Sequence, residues 1–283
     1  MDKKLLLIKN NKSIALLAPS FPIDFKFPAV IGMLREIGFD QVTELTYGAR
    51  LVNLNYAHYI KSNPKQQLFI ASPCPTMVNY ITNEYPDLIK FLVPIVSPMA
   101  AMAKIYKKHH PDHKIVFFSP CYAKQNIEAS KYQDDIDEVI TFKELKEIFN
   151  AEGIKENDYN REYYFDSLIQ EYTKIYPVSG GLSSTSHLRD FFEEKDILVL
   201  DGIGEVKKVL DEIVAGKSNY KFLDLLNCSG GCIGGPAINN FNLSVSQKKE
   251  SIENYIKQTS EIVMGSHKGH VDYAKNVDLS KKF

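Results

Sequence analysis

Charge of one sign, long hydrophobic runs and cysteine are all scarce in this 283-residue chain, and each scarcity excludes something. Lys plus Arg number 34 against 35 for Asp plus Glu, leaving a formal charge of -1. That balance gives no electrostatic ground for binding nucleic acid or an anionic membrane surface. The longest apolar runs, Ile14 to Pro19 and Phe91 to Val96, fall far short of the ~20 residues that span a bilayer. Lys3 and Lys4 precede a short apolar run, but Lys9 and Lys12 follow with no small-residue cleavage site, so a cytoplasmic protein is expected. Four cysteines without a secretion signal do not read as a disulfide framework; they are small buried residues, catalytic thiols or metal ligands. What is present is enough for a sizeable core: 44% of residues are hydrophobic and 24% charged. The length, at ~150 residues per domain, suits one large domain or two lobes.

Short apolar runs alternate with amphipathic stretches. Strands are expected at Ile14 to Ala18, Leu68 to Ala71, Ile115 to Ser119, Ile197 to Leu200 and Tyr220 to Leu226. Helices are expected at Ala29 to Ile37, with Gly38 as its stop, and at Val78 to Phe91, Ala100 to Lys108, Phe142 to Ala151, Val206 to Ala215 and Lys248 to Met264. This order predicts an α/β fold with largely parallel sheet. The segment from Lys155 to Asp166, rich in Asn, Asp, Glu and Tyr, is the candidate excursion between lobes.

The cysteines all follow predicted strands. Cys74 lies in Ala71-Ser72-Pro73-Cys74-Pro75 and Cys121 in Ser119-Pro120-Cys121-Tyr122-Ala123-Lys124, so the tripeptide Ser-Pro-Cys occurs twice at strand ends. Cys228 and Cys232 lie in Asn227-Cys228-Ser229-Gly230-Gly231-Cys232-Ile233-Gly234-Gly235-Pro236, again after an apolar run. Ligands of parallel α/β sheets bind at the carboxyl ends of strands, so these thiols should face one crevice. From Cys74 to Cys121 is 47 residues, from Cys121 to Cys228 is 107, and from Cys228 to Cys232 is 4. Structural zinc sites favour tight pairs on small knuckles, and only the last pair comes near that spacing. A buried Cys is often merely a small apolar residue, yet four at equivalent places favour an iron-sulfur cubane held by scattered ligands. Glycines beside the cluster would let backbone approach it and aim N–H groups at it.

On these loops the chain resembles the catalytic domain of the iron-iron (FeFe) hydrogenases, from about Ser13 to the C-terminus, with three cysteine loops in the family's order. The resemblance implies two lobes of mainly parallel sheet flanked by helices, with the metal cluster in the crevice between them, the whole chain forming a single domain. It implies a 4Fe-4S cubane on Cys74, Cys121, Cys228 and Cys232, with Cys232 also bridging to a two-iron subcluster carrying CO, CN and an azadithiolate bridge. Together these form the H-cluster, whose two-iron part is absent without maturation enzymes. Lys124 matches the lysine that donates to a cyanide, and Pro19 and Ser20 match a loop that does the same. H2 and protons would be the substrates, and electrons would come from an external carrier such as ferredoxin or a fused cluster domain.

The family pattern also breaks. Catalytic members have two consecutive cysteines in the first loop, the first of which passes protons; here Pro73 holds that place and has no titratable group. Where relay carboxylates are expected after Gly48, the chain has Asn55, Tyr56, His58 and Tyr59. Leu226 and Ser119 stand for methionines, Tyr176-Pro177 precede Val178-Ser179-Gly180-Gly181, and Ile127 replaces a glutamate with Glu128 adjacent. This combination resembles the sensory hydrogenases, implying slow turnover and a signalling output module of PAS, kinase or phosphatase type.

Two rival functions remain: a non-catalytic 4Fe-4S redox sensor or scaffold, and a structural zinc protein. Weaker features have plainer readings. Asp201-Gly202-Ile203-Gly204 has Lys207 at the third glycine place of a dinucleotide loop and reads as a tight turn. His109, His110 and His113 read as a solvated helix end.

Overall fold

A computed structural model describes residues 3–159, 163–166, 171–260 and 271–283. Helix α1 (Lys3–Lys9) leads into strand β1 (Ser13–Leu17). Then come α2 (Ala29–Glu36), β2 (Gln41–Glu44), α3 (Thr46–Ser62) and β3 (Phe69–Ile70). Next are α4 (Pro75–Glu84), α5 (Pro98–His109), β4 (Lys114–Ser119), β5 (Glu138–Thr141) and α6 (Phe142–Ala151). The last third holds α7 (Gly181–Thr185), β6 (Ile197–Asp201), α8 (Ile203–Val214), β7 (Phe222–Leu226) and α9 (Val245–Ser260).

The strands form two sheets, in the orders β2-β1-β4-β5 and β3-β7-β6, with every pairing parallel. This is the mixed α/β architecture expected, with helices on the sheets. β1 is buried throughout, as a strand covered on both faces must be. β7 carries the division between the two packing regions. Leu223 and Leu225 join Ile70, Met77, Ile81, Val206 and Leu210 in a smaller core between α4 and α8. Phe222 faces the main core instead. Period-two alternation puts Asp224 and Leu226 on the same side as Phe222, the side toward the crevice.

All five predicted strands are present. β2 and β5 were not predicted; they are the short, polar edges of the four-stranded sheet, with sequences QVTE and EVIT. The helix expected over Val78 to Phe91 is instead α4 followed by a 3-10 turn, Pro86–Phe91. Pro86 removes a helical donor and pushes Tyr85 to an extended φ of -134°. The largest omission is α3, whose 17 residues carry Gly48, Asn53 and Asn55 and only a diffuse apolar stripe. The part of the last predicted helix from 261 to 264 lies outside the described residues, as do 160–162 of the 155–166 segment. The described end of that segment is bonded to the first sheet: the Val42 amide donates to Asp166 at 2.6 Å, and the Arg35 guanidinium binds the same carboxylate at 2.9 and 3.0 Å.

α3 packs on α5 through Gly48, and its neighbour Ala49 lines the crevice. A Cβ on Gly48 would fall 2.5 Å from Met102 Cγ and 2.6 Å from the Pro98 carbonyl oxygen. Gly48→Ala is therefore expected to destabilise the fold by about 1–3 kcal/mol through overpacking, read as a lowered urea midpoint.

Candidate metal centre

The crevice lies at the carboxyl ends of strands from both sheets. Cys74 caps the start of α4 after β3, Cys121 follows β4, Cys228 follows β7, and Cys232 opens a 3-10 turn. All four are free thiols and line one cavity. Pro19, Ser20 and Lys124 line it too, as do Pro73, Ser119, Tyr176, Asp224 and Leu226. Among the described residues, no three His, Cys, Asp or Glu side chains gather as ligands of a single metal ion. The thiols surround a space rather than a point.

Each loop is fixed by specific bonds. In the first, the Ser72 hydroxyl donates to the carbonyls of Val93 (2.6 Å) and Ile95 (3.1 Å), and its amide donates to the Tyr56 hydroxyl (2.7 Å). The Ser72 proton being used, Tyr56 donates in turn to Ser72 Oγ at 3.1 Å. Tyr56, read from the sequence as the place of an absent relay group, is thus a fully buried brace for the cysteine loop. In the second loop, the Cys121 amide donates to Ser119 Oγ at 3.0 Å. The third is bonded to the other two segments: Ser179 N–H to the Gly230 carbonyl (2.9 Å), Ile233 N–H to that of Pro177 (3.2 Å), and Ala237 N–H to that of Pro120 (3.0 Å). The Gly230 amide reaches Asp201 Oδ1 at 3.1 Å, so the turn after β6 serves this loop.

The glycines of this loop let chain pack directly on chain. Gly231, at φ +90°, leaves room for chain: a Cβ there would lie 2.6 Å from the Ser179 nitrogen. One at Gly235 would lie 2.4 Å from the Pro120 oxygen. Their smallness lets three loops touch through backbone. The amides aimed at a thiol are those of Ala123 and Lys124, directed at Cys121.

Burial dominates the thiols. It pushes Cys121 up, Cys228 to about 11 and Cys232 higher still, with the neighbouring cysteines adding to the rise. Cys232 is open on its cavity side and enclosed elsewhere. The Lys124 ammonium opposes the rise at Cys121 and Cys232. Lys124 donates to the Pro73 carbonyl at 3.1 Å and forms an ion pair with buried Glu128, leaving one of three protons for the cavity.

The pair has the i,i+4 spacing that puts two side chains on one face of a helix. Residues Lys124–Glu128 form a π-helix, closed by the Ala129 amide on the Lys124 carbonyl, whose wider turn keeps residues four apart near one another. Glu128 therefore meets Lys124 although Ile127 occupies the place where the resemblance expects a glutamate.

The residues present fit an anionic cluster. Ser20 Oγ is fully buried in the cavity wall with no hydrogen-bond partner among the described residues, a state that costs about 1–3 kcal/mol unless an acceptor arrives. Four thiols, one ammonium and this orphaned hydroxyl form a donor set of the kind such a group needs. The histidines do not contribute: His109 stacks on Tyr273 at 4.0 Å and His110 Nε2 lies 3.3 Å from the Tyr273 hydroxyl.

A strap from the tail completes the surroundings. The Val96 amide donates to the Leu279 carbonyl (3.0 Å) and the Lys281 amide to that of Pro94 (2.9 Å). Lys281 Nζ donates to the Ser72 carbonyl at 3.2 Å.

The fold and the thiol-lined crevice define an α/β protein with a cysteine-rich pocket at its strand ends. Residues 11–236 match the family model for the iron only hydrogenase large subunit, C-terminal domain, and the chain belongs to that family. It is similar to iron hydrogenase 1 of Clostridium pasteurianum, with 27% identity over 256 residues covering 71% of this chain and 44% of that protein. It is similar also to the periplasmic Fe hydrogenase large subunit of Nitratidesulfovibrio vulgaris, with 29% identity over 214 residues covering 58% and 50%. The chain spans about half the length of these relatives. A solved FeFe-hydrogenase HydA1 from Chlamydomonas reinhardtii has the same fold, with TM-score 0.69 at 18% identity covering 99% of this chain and 97% of that one. A HydA structure concerned with stepwise H-cluster assembly gives 0.68, also at 18%, covering 98% and 97%. No helix among the described residues is long and apolar enough to cross a membrane.

Burial lowers Lys281 to about 8, partly offset by Glu128 and Cys74 and reinforced by Lys124 and Lys131. The unfolded value is about 10.4. Between these two pH values the unfolded chain holds a proton that the folded chain has lost, so this residue makes stability rise with pH across that window. In metal-free protein, Lys281→Met is expected to remove that rise, seen as a flatter plot of urea midpoint against pH than in the wild type.

Proposed function

We propose that this chain is a hydrogenase-type protein of low turnover, acting as a sensor of hydrogen or of redox state in the cytoplasm. The observation that carries the reading is the single cavity faced by four thiols from three loops, with Lys124, Pro19 and Ser20 in its wall. Cys74, Cys121, Cys228 and Cys232 would hold a 4Fe-4S cubane and Cys232 its two-iron neighbour. When bound, the H-cluster supplies electron exchange and the uptake or release of H2.

The protein's own part is to position and to restrict. Ser20 and the free proton of Lys124 would donate to anionic diatomic ligands, and Glu128 would keep the ammonium aimed. Closed loops and apolar walls, among them Leu45, Met99, Phe117 and Val178, would exclude water and strengthen these bonds. Proton delivery is the restricted function. Pro73 offers neither an acid nor an N–H, and the one carboxylate in the cavity lining, Asp224, is raised by burial and accepts from the Ser183 amide and hydroxyl at 3.1 and 2.8 Å. Slow turnover with an intact ligand set suits a reporter rather than a bulk catalyst. Its partners would be H2 and protons, an electron carrier, maturation enzymes and a signalling output module, in one domain of two lobes.

The rival reading, a non-catalytic cubane protein, is favoured by the absence of the proton-passing cysteine. Two experiments decide. Anaerobic reconstitution with iron and sulfide should give a brown protein with about four irons per chain, lost in Cys→Ser variants. A colourless protein holding one zinc would end the iron reading. Loading with maturation enzymes or a synthetic two-iron complex should then produce infrared bands of iron-bound carbonyl and cyanide; their absence leaves the cubane alone. In loaded protein Pro73→Cys should raise hydrogen turnover by about 10²-fold, the lower end of what a positioned acid-base group contributes.

A further inference from the structure

Tyr176 stands in the cavity wall with Pro177, Val178, Asp224 and Cys232. Its hydroxyl is buried and has no hydrogen-bond partner among the described residues. An unmet buried donor costs about 1–3 kcal/mol, and phenylalanine would fill the same space without that cost.

The surroundings explain why the protein supplies no acceptor. The charge-bearing neighbours of this phenol are Tyr56, Asp224 and Cys232. Tyr56 is committed to Ser72, accepting its amide at 2.7 Å and pairing with Oγ at 3.1 Å. Asp224 turns Oδ2 to Ser183 on α7, with contacts at 3.1 and 2.8 Å to its amide and hydroxyl. Cys232 faces the cavity.

Nor is the ring on a segment free to seek another partner. The Tyr176 amide donates to the Thr173 carbonyl at 3.0 Å, and that of Val178 to Ile175 at 3.0 Å. Val178 forms a bridge with Gly231, next to Cys232. A Cβ on Gly181 would lie 2.6 Å from Tyr176 Cα, so the backbone is wedged from the other side as well. Tyr176 is thereby fixed relative to the third cysteine loop.

We propose that the Tyr176 hydroxyl is a positioning donor reserved for the sulfur-rich anionic cluster held by the four cysteines, and that its hydrogen bond raises the cluster's reduction potential. The inference rests on the iron-sulfur reading of the site. A hydrogen bond from O–H to cluster sulfur stabilises the reduced, more negative state more than the oxidised one, and hydrogen bonds to sulfur are among the levers that set such potentials. It shares the logic of Ser20, the other orphaned hydroxyl of the wall, but comes from the opposite side of the cavity's sequence, the segment before α7.

The test compares wild type with Tyr176→Phe, which deletes one oxygen and keeps the ring. Both are reconstituted with iron and sulfide only, and the midpoint is followed by the paramagnetic signal of the reduced cluster. The expected result is equal iron content with a more negative midpoint in Tyr176→Phe. In metal-free protein the same variant should unfold at an equal or higher urea concentration, because a buried unmet group has been removed. Equal midpoints at equal iron loading would overturn the proposal. So would a less stable metal-free variant, since the hydroxyl would then already have a partner in the protein. If wild type itself takes up no iron, the reading of the site fails first and this inference falls with it.

Discussion

Four thiols in one cavity wall are hard to keep there. Each loses hydration, and as thiolates they would repel, which is why burial and mutual proximity raise those whose shifts are resolved. The chain meets this constraint with backbone rather than with counter-charge. Three strand ends supply the loops, the Pro177 to Ser179 segment and the second loop lock the third in place, and Ser72 locks the first to residues 93 and 95. Among the described residues the cavity lining itself holds one cation, Lys124, already paired with Glu128. A metal bound there would release protons from the thiols that burial raises, Cys121, Cys228 and Cys232, coupling occupancy of the site to pH.

The parts of the fold legible in the sequence were those where one physical signal acted alone. β1, β4 and β7 are mainly apolar runs covered on both faces, β7 broken only by Asp224; β4 runs into Ser119-Pro120-Cys121 and β7 into the glycine loop. α6 was found with its exact limits because Thr141 and Glu144 form a capping box ahead of a sharp apolar stripe. The polar edge strands β2 and β5 gave no such signal: their pairing is supplied by neighbours distant in sequence. α3 was hidden because it is buried on several sides, against α5, α7 and the first cysteine loop, so its apolar residues do not keep to one face.

The site shows the same division. Cys74, Cys121, Cys228 and Cys232 are adjacent to turns the sequence marks clearly. The ion pair of Glu128 with Lys124 has the i,i+4 spacing of one helix face, but the π-helical form of that turn carries no mark in the sequence. Tyr56 and Tyr176 are equally opaque in sequence. Both are aromatic residues among sixteen tyrosines, and only the packed structure shows one hydroxyl tied to Ser72 and the other left without a partner among the described residues.

The tail strap links distant events. Residues 279–281 lie along 94–96, and the same stretch sends the Lys281 ammonium to the carbonyl of Ser72, two positions before the first thiol. Tension applied to this strap would be felt at Ser72 both directly and through Ile95, which holds the serine hydroxyl. The outer surface and the deepest cysteine loop are thus joined in series, like a cord knotted to the hinge it can pull.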